Sequence, residues 1–171
     1  FDSIYRGIKE NIPVGYDHRN SNKLAVVYEN VPINFLDQVT QYEQESIWNQ
    51  RKIINQLGTL GGGNHFIELQ ADEDGIVWIM IHSGSRNIGN KITTTYINKA
   101  KELENAPKDL EYFDADSDIG KEYLKHLEFA TQFAYMNRLV MVKAVQEVLY
   151  HEFKYFGMAV PAFDPKINIH H

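Results

Sequence analysis

Apolar positions recur with two different periods along the chain and predict both helices and strands. Between Ile119 and Phe156 they recur every three or four residues, which is typical of a buried helix face, and Gly157 follows as a stop. A shorter pattern of the same kind predicts a second helix from about Asn90 onward. The apolar positions of the two patterns are Leu124, Leu127, Phe133, Met136, Val140, Met141, Ala144, Val148 and Leu149 in the long one, and Ile92, Tyr96, Ile97 and Leu103 in the short one.

Two strand-length runs precede these helices. "HFIEL" begins at His65, and "IVWIMIH" spans Ile76–His82; the second run is so apolar that we expect burial on both of its faces. The connection "ADEDG" (Ala71–Gly75) has the Asp-Gly chemistry of a tight turn, which predicts an antiparallel pair. A further strand is predicted within Val160–Ile169, after two prolines.

The remaining segments complete the predicted fold. Glu45–Gly58 has the spacing of a short helix that Gly58 ends, and Asn11–Lys23 is rich in turn residues and predicts a loop. We therefore expect an α+β domain over residues 1–171, with a mixed or antiparallel sheet and one long packed helix. Residues 1–45 contribute least to this prediction.

Composition and charge narrow the functional classes. The net charge is −6, whereas proteins that bind nucleic acid mainly through phosphates are usually basic, so any RNA contact needs a local site. No apolar run reaches the roughly 20 residues that span a bilayer, and we expect no membrane association. Cysteine is absent, which excludes thiolate metal sites in these residues and fits a cytoplasmic protein.

The stretch "GGGNHFIE" is the first candidate for chemistry. Glycines permit positive φ, and successive glycine amides can hold an anion, although the flanking pattern is neither a P-loop nor a dinucleotide fingerprint. Strand alternation puts Asn64, Phe66 and Glu68 nearer one face and His65 and Ile67 nearer the other, but twist can still bring Asn64 and His65 together. A tight turn with a capped histidine is the structural alternative.

The stretch "MIHSGSRNIGN" (Met80–Asn90) is the second candidate. A strand ends at His82, and a Ser/Gly loop with Arg86 leads into a helix, which is where α/β proteins commonly bind anions. The guanidinium fork of Arg86 suits phosphate. His82 has two open interpretations, a metal ligand or a hydrogen-bonded core histidine.

Two further features concern the second half of the chain. His171 ends a predicted strand, and an imidazole there suits Zn²⁺ or Mn²⁺, so His65, His82 and His171 could converge on one pocket. The pair Asn137-Arg138 interrupts the long helix pattern. We interpret it as a polar edge of that helix, the alternative being that Arg138 supports the site.

Together, "LGTLGGGNHFIE", "MIHSGSRNIGN", "FATQFAYMNR" and "INIHH" resemble the RtcB family of RNA ligases, from about Gln56 to His171. The resemblance implies an enzyme that uses GTP and two Mn²⁺ ions per site. It implies joining of RNA 2′,3′-cyclic phosphate or 3′-phosphate ends to 5′-hydroxyl ends, in tRNA splicing and RNA repair. The partners so implied are broken RNA ends such as tRNA halves.

The resemblance also implies roles for individual residues. His65 and His82 each correspond to a ligand of one manganese, Arg86 to a catalytic arginine that holds RNA phosphate, and His171, next to His170, to a further metal ligand. The residues implied to bind the GMP cofactor are Asn64, His65, Phe66, Ile67, Glu68 and His171.

Two elements of the family are not found in these residues. The family has an Asp-x-x-Cys motif, and it has a guanylylated histidine in a His-Gly-Ala-Gly-Arg setting downstream. We therefore expect the central portion of an RtcB-like ligase, inactive as an isolated segment. The alternatives are a non-catalytic nucleotide- or phosphate-binding module and, ranked last, a histidine-based metallohydrolase that uses Glu68.

Overall fold

The computed structural model of the chain describes residues 1–45, 52–103, 106–160, 162–163 and 167–169. These residues form helices and a two-stranded antiparallel sheet, which confirms the α+β class. The elements are α1 (Asp2–Asn11), α2 (Ala25–Asn30), α3 (Ile33–Glu43), β1 (Phe66–Ala71), β2 (Val77–His82), α4 (Ile88–Lys101) and α5 (Asp118–Tyr155), with 3-10 turns at Ser21–Lys23 and Ile53–Gln56.

Helix α5 is the element on which the others assemble. It has 38 residues, which corresponds to a length of about 57 Å. Ser117 caps its first turn, since the Ser117 hydroxyl accepts a hydrogen bond from the Gly120 amide at 3.1 Å. Gly157, with φ of +66°, follows its end. The predicted helix and its stop are confirmed.

The first turns of α5 bury a different face from the predicted one. Leu124 and Leu127 are 48% and 41% exposed, whereas His126 and Phe129 are buried. The reason is aromatic packing from α3, because the Tyr42 ring stacks on Phe129 with centroids 3.8 Å apart. From Phe133 onward the predicted stripe is the buried one, with Met136 partly buried against the first cluster.

Two core clusters lie along α5. The first joins α2, α3, α4 and the N-terminal half of α5, and the second joins α1, the sheet and the C-terminal half of α5. The segment before the sheet takes part in both, since Leu57 belongs to the first cluster and Leu60 to the second. The clusters meet near Val140 and Met141, at the middle of the helix.

A buried polar contact closes the first cluster. The His126 Nδ1 atom lies 2.7 Å from the Tyr96 hydroxyl of α4, and its Nε2 atom lies 3.1 Å from a carboxylate oxygen of Glu45. The imidazole thereby joins the end of α3, α4 and α5. Buried polar groups that are fully paired in this way fix one arrangement of the helices.

The sheet is the predicted antiparallel hairpin. Its register runs from Phe66 opposite His82 to Ala71 opposite Val77. In the turn, the Asp72 carboxylate accepts hydrogen bonds from the Ile76 amide at 2.8 Å and the Trp78 indole at 2.7 Å.

The expectation that β2 is buried on both faces is wrong. Ile79 and Ile81 pack against the second core cluster, but Trp78 and Met80 on the opposite face are 44% and 45% exposed. One face of the sheet packs on α5, whereas the side chains of the other face are partly exposed to solvent. An apolar run of strand length therefore did not distinguish one covered face from two.

Several other expectations change. The helix predicted for Glu45–Gly58 is a 3-10 turn in its described part, and residues 46–51 lie outside the described residues. Ile167–Ile169 is not a strand, while His170 and His171 lie outside the described residues. The first 45 residues contain three helices that the pattern did not predict. Helix α4 begins two residues early, and Ile97 is exposed.

Within the described part of the chain, none of the helices combines the length and apolarity that a membrane crossing requires.

We predict that two leucine-to-alanine changes on α5 differ sharply. Leu149→Ala removes a 6% exposed side chain from the second cluster and should lower the free energy of unfolding by about 2–5 kcal/mol. Leu124→Ala is the matched control and should change it by less than about 0.5 kcal/mol, because that side chain is about half exposed and belongs to neither core cluster. Urea denaturation of both variants is the measurement, and equal losses would contradict the observed helix face.

Candidate active site

A glycine at one position of the "GGG" loop is required by its surroundings. Gly61 has φ of +92°, and a Cβ there would collide with Arg86 Nη1 and His65 Nδ1. The loop is therefore not merely a turn, since Gly61 leaves room for two functional side chains. Gly62, in contrast, has space, because a Cβ would come no closer than 3.8 Å to the Gly15 Cα.

The two histidines of the motifs lie side by side. The ring centroids of His65 and His82 are 5.7 Å apart. Pairing in the hairpin produces this arrangement, because His82 lies opposite Phe66, the residue that follows His65. The His82 ring stacks on the Phe66 ring at 5.6 Å with an interplanar angle of 18°.

The environment of His65 favours a neutral imidazole. Burial lowers the pKa of His65, with smaller contributions from His82 and Arg86, while the Leu60 backbone acts in the opposite direction. The Nδ1 atom is buried and has no hydrogen-bond partner of acceptable geometry among the described residues. A neutral imidazole nitrogen is the form that binds a metal ion.

Arg86 joins three segments of the site. Its Nε donates to the Thr59 hydroxyl at 2.8 Å, and its Nη2 donates to the Gly15 carbonyl at 2.7 Å. Burial lowers the pKa of Arg86, but a guanidinium remains a cation at neutral pH. Arg86 and Asn87 have φ values of 53° and 69°, which are sparsely populated for non-glycine residues and are maintained here by the surrounding contacts.

Asn137 holds the two motif loops on α5. Its side chain is fully buried, accepts a hydrogen bond from the Thr59 amide at 3.1 Å and donates to the Thr59 carbonyl at 3.1 Å. The same amide group also donates to the Ser83 hydroxyl at 3.2 Å and to the Gly84 carbonyl at 3.1 Å. The interpretation of Asn137 as part of a polar helix edge is therefore wrong, because its polar atoms are paired inside the protein.

Arg138 supports the same loop from its other side. Its Nη1 donates to the Ser83 carbonyl at 3.1 Å, and its Nε donates to the Asn168 side chain at 2.8 Å. Of the two interpretations of Arg138, the geometry agrees with the one that gives it a supporting role. Burial lowers the pKa of this guanidinium as well.

The predicted site residues are distributed as follows. His65, His82 and Arg86 are brought together, and Asn64 lies exposed on the adjoining turn. Glu68 is exposed on the outer sheet face, two residues along from Phe66, whereas Ile67 packs inward on the second core cluster. His171 lies outside the described residues, among which no group of three or more potential metal ligands occurs.

Two supporting residues were missed. Arg19, within a predicted loop, is buried and donates from Nε to the Leu57 carbonyl at 3.0 Å and from Nη2 to the Gly58 carbonyl at 2.8 Å. Thr59 sits between Asn137 and Arg86. The burial of Asn137 could have been inferred from the sequence, because it is a polar residue at a position that the helix period assigns to the core.

Comparison with known proteins shows the family to which this chain belongs. The sequence matches the family described as tRNA-splicing ligase RtcB over residues 3–171. The chain belongs to this family. A relative named RNA-splicing ligase RtcB from Escherichia coli K12 is 36% identical over 160 residues, covering 85% of this chain.

Archaeal relatives agree with this membership. A protein named tRNA-splicing ligase RtcB from Nanoarchaeum equitans is 31% identical over 137 residues, covering 67% of this chain and 28% of its own length. Another of that name from Pyrobaculum aerophilum is 31% identical over 114 residues, covering 54% of this chain and 24% of its own. The chain spans 39% of the length of the Escherichia coli RtcB protein.

We predict that neighbouring glycines differ in their tolerance of alanine. Gly61→Ala should lower the free energy of unfolding by more than about 2 kcal/mol, because the added Cβ meets two side chains at a positive φ. Gly62→Ala should be neutral or slightly stabilising, since the position is open. Thermal unfolding tests this difference, and a tolerated Gly61→Ala would argue against the close packing of Arg86 on the loop.

A second prediction concerns the Asn137 contacts. Asn137→Asp keeps the shape of the side chain but removes the donating amide and buries a charge. The free energy of unfolding should therefore fall by about 3 kcal/mol. Asn98→Asp on the exposed surface of α4 is the control and should change stability by less than about 1 kcal/mol. Chemical denaturation measures both, and similar values for the two variants would mean that the Asn137 hydrogen bonds contribute little.

Proposed function

We propose that this chain is the central part of an RNA ligase that joins RNA 2′,3′-cyclic phosphate or 3′-phosphate ends to 5′-hydroxyl ends, with GTP and Mn²⁺ as cofactors. The observation that carries the proposal is the arrangement of His65, His82 and Arg86 around Gly61 in a member of the RtcB family. The names of the relatives, RNA-splicing and tRNA-splicing ligase, support tRNA halves or other broken RNAs as substrates.

The histidine pair is suited to hold metal. His65 presents a buried Nδ1 atom that makes no hydrogen bond of acceptable geometry with the described residues, and such an atom is costly unless a ligand satisfies it. The ring separation of 5.7 Å is compatible with ligands of two adjacent ions. His65 and His82 would each supply one imidazole, with His171 as a further ligand. Bound Mn²⁺ would supply positive charge to stabilise negative charge that develops on phosphate oxygens.

The strand that begins at the histidine pair would bind the guanine nucleotide. Asn64 and Glu68 are exposed polar groups on this segment, and Phe66 is partly exposed against His82. We assign Asn64, His65, Phe66, Ile67 and Glu68 to the GMP site, with Ile67 contributing through its backbone, since its side chain faces the core.

Arg86 would bind the RNA phosphate. Two of its guanidinium nitrogens hold Thr59 and Gly15, so its position is fixed before substrate arrives. Nη1 is used by none of the hydrogen bonds to described residues and lies at Gly61, beside His65. A preorganised cation at this point stabilises phosphate charge without reorganisation.

We predict that the histidine pair is essential for ligation by the full-length protein. His65→Ala and His82→Ala should each lower the rate of joining by more than about 100-fold, because residues that merely support metal ligands already contribute about 10- to 100-fold. His151→Ala, at an exposed position of α5, is the control. Joining of a 3′-phosphate RNA to a 5′-hydroxyl RNA is measured with GTP and Mn²⁺, and activity in either histidine variant near that of the control would refute the assignment.

Labelling with radioactive GTP distinguishes the proposed ligase from the alternative, a non-catalytic nucleotide-binding module. The 171-residue chain should form no covalent GMP adduct, whereas the full-length protein should form one in the presence of Mn²⁺. If the full-length protein binds GMP in a calorimetric titration but never becomes labelled, the non-catalytic nucleotide-binding module is the better description.

A further inference from the structure

A cleft next to the candidate active site has the properties of a binding groove for single-stranded RNA. It has a volume of about 500 Å³ and lies between the loop at Gly15–His18, the glycine loop and the start of α4. Its lining includes Gly15, Tyr16, His18, Arg86 and Lys91.

The cleft is continuous with the site. The Gly15 amide donates to the Gly61 carbonyl at 2.9 Å, and Arg86 donates to the Gly15 carbonyl at 2.7 Å. Arg86 therefore faces the histidine pair on one side and the cleft on the other. A strand in the cleft would have one end at the candidate active site.

The charge of the cleft opposes that of the whole chain. Arg86 and Lys91 are cations, while no Asp or Glu is among the described lining residues. The chain as a whole carries a net charge of −6. A local basic cleft in an acidic protein concentrates positive potential where an anionic backbone would lie.

An aromatic side chain at the edge of the cleft adds a second, independent property. Tyr16 is 98% exposed, although it directly follows the residue that Arg86 holds. The ring is open to solvent and is therefore available to contact a ligand in the cleft. Exposed aromatic rings beside basic grooves are the platforms on which unpaired bases stack.

We propose that this cleft binds the unpaired nucleotides next to an RNA end, with Lys91 and His18 contacting backbone phosphates and Tyr16 stacking on a base. The proposal rests on the proposed ligase function, and it assigns a role to Tyr16, His18 and Lys91. The groove suits either the 3′-phosphate strand or the 5′-hydroxyl strand, since both have the same backbone.

The test measures fluorescence anisotropy of labelled ten-nucleotide unpaired RNAs with the full-length protein, without GTP or Mn²⁺. One RNA carries a 3′-phosphate with a blocked 5′ end, and the other carries a 5′-hydroxyl with an unmodified 3′ end. Tyr16→Ala should weaken binding of at least one RNA by about 5- to 150-fold, the range for loss of one stacked base. Tyr16→Phe should retain binding, and the RNA that is affected identifies the strand in the cleft.

The salt dependence distinguishes the two contacts. Lys91→Gln should weaken binding and lower the slope of log K against log salt concentration by about 0.7, as expected for one phosphate contact on a single strand. Tyr16→Ala should leave that slope unchanged. Lys101→Gln at the other end of α4 and Tyr5→Ala, which removes another exposed tyrosine, are the matched controls.

Two results would overturn the proposal. One is wild-type affinity for both RNAs in Tyr16→Ala and Lys91→Gln. The other is an equal loss in Lys101→Gln, which would show that the contribution of Lys91 is only general charge. GMP labelling of the wild-type protein without RNA is scored separately, so failure of the ligase proposal is distinguishable from failure of the RNA groove.

Discussion

The carboxamide of Asn137 is the contact on which the site depends. One side chain on α5 satisfies both backbone groups of Thr59 and, through the same amide nitrogen, Ser83 and Gly84. Thr59 in turn positions Arg86, and Ser83 directly follows His82. Because Asn137 lies where the two core clusters meet, the packing of the whole molecule determines where the motif loops are held.

The loops that Asn137 holds contain two of the three non-glycine residues with positive φ among the described residues. Arg86 and Asn87 have positive φ, and Gly61 lacks the space for any larger residue. Each of these features costs free energy locally and is maintained by buried hydrogen bonds around it. In return, a guanidinium and a neutral imidazole are held side by side in a partly buried position, where electrostatic interactions with a phosphate are stronger than in water.

Sequence reasoning predicted those parts of the molecule in which one local pattern dominates. Helix α5, the hairpin with its Asp72 turn and the proximity of His65, His82 and Arg86 are all found, the last because the motifs flank paired strands. The predictions from sequence were wrong where tertiary packing decides which helices form and which faces are buried. Helices α1 and α2 pack on α5, whereas α3 packs on the 3-10 turn at Ile53–Gln56 and contacts α5 through the stacking of Tyr42 on Phe129. That stacking sets the buried face of α5 near His126, and the one-sided burial of β2 depends on which neighbours the sheet has. The convergence of His171 stays a prediction.

The contacts of the site differ in how far apart in the chain their partners lie. The two imidazoles are held by a hairpin whose outermost pair, Phe66 and His82, is separated by only sixteen positions, whereas Asn137 reaches Thr59 across 78 and Ser83 across 54. Closing a long loop costs more conformational entropy than closing a short one. The histidine pair is therefore the more locally encoded half of the site, whereas the position of the glycine loop depends on a residue of α5 far along the chain.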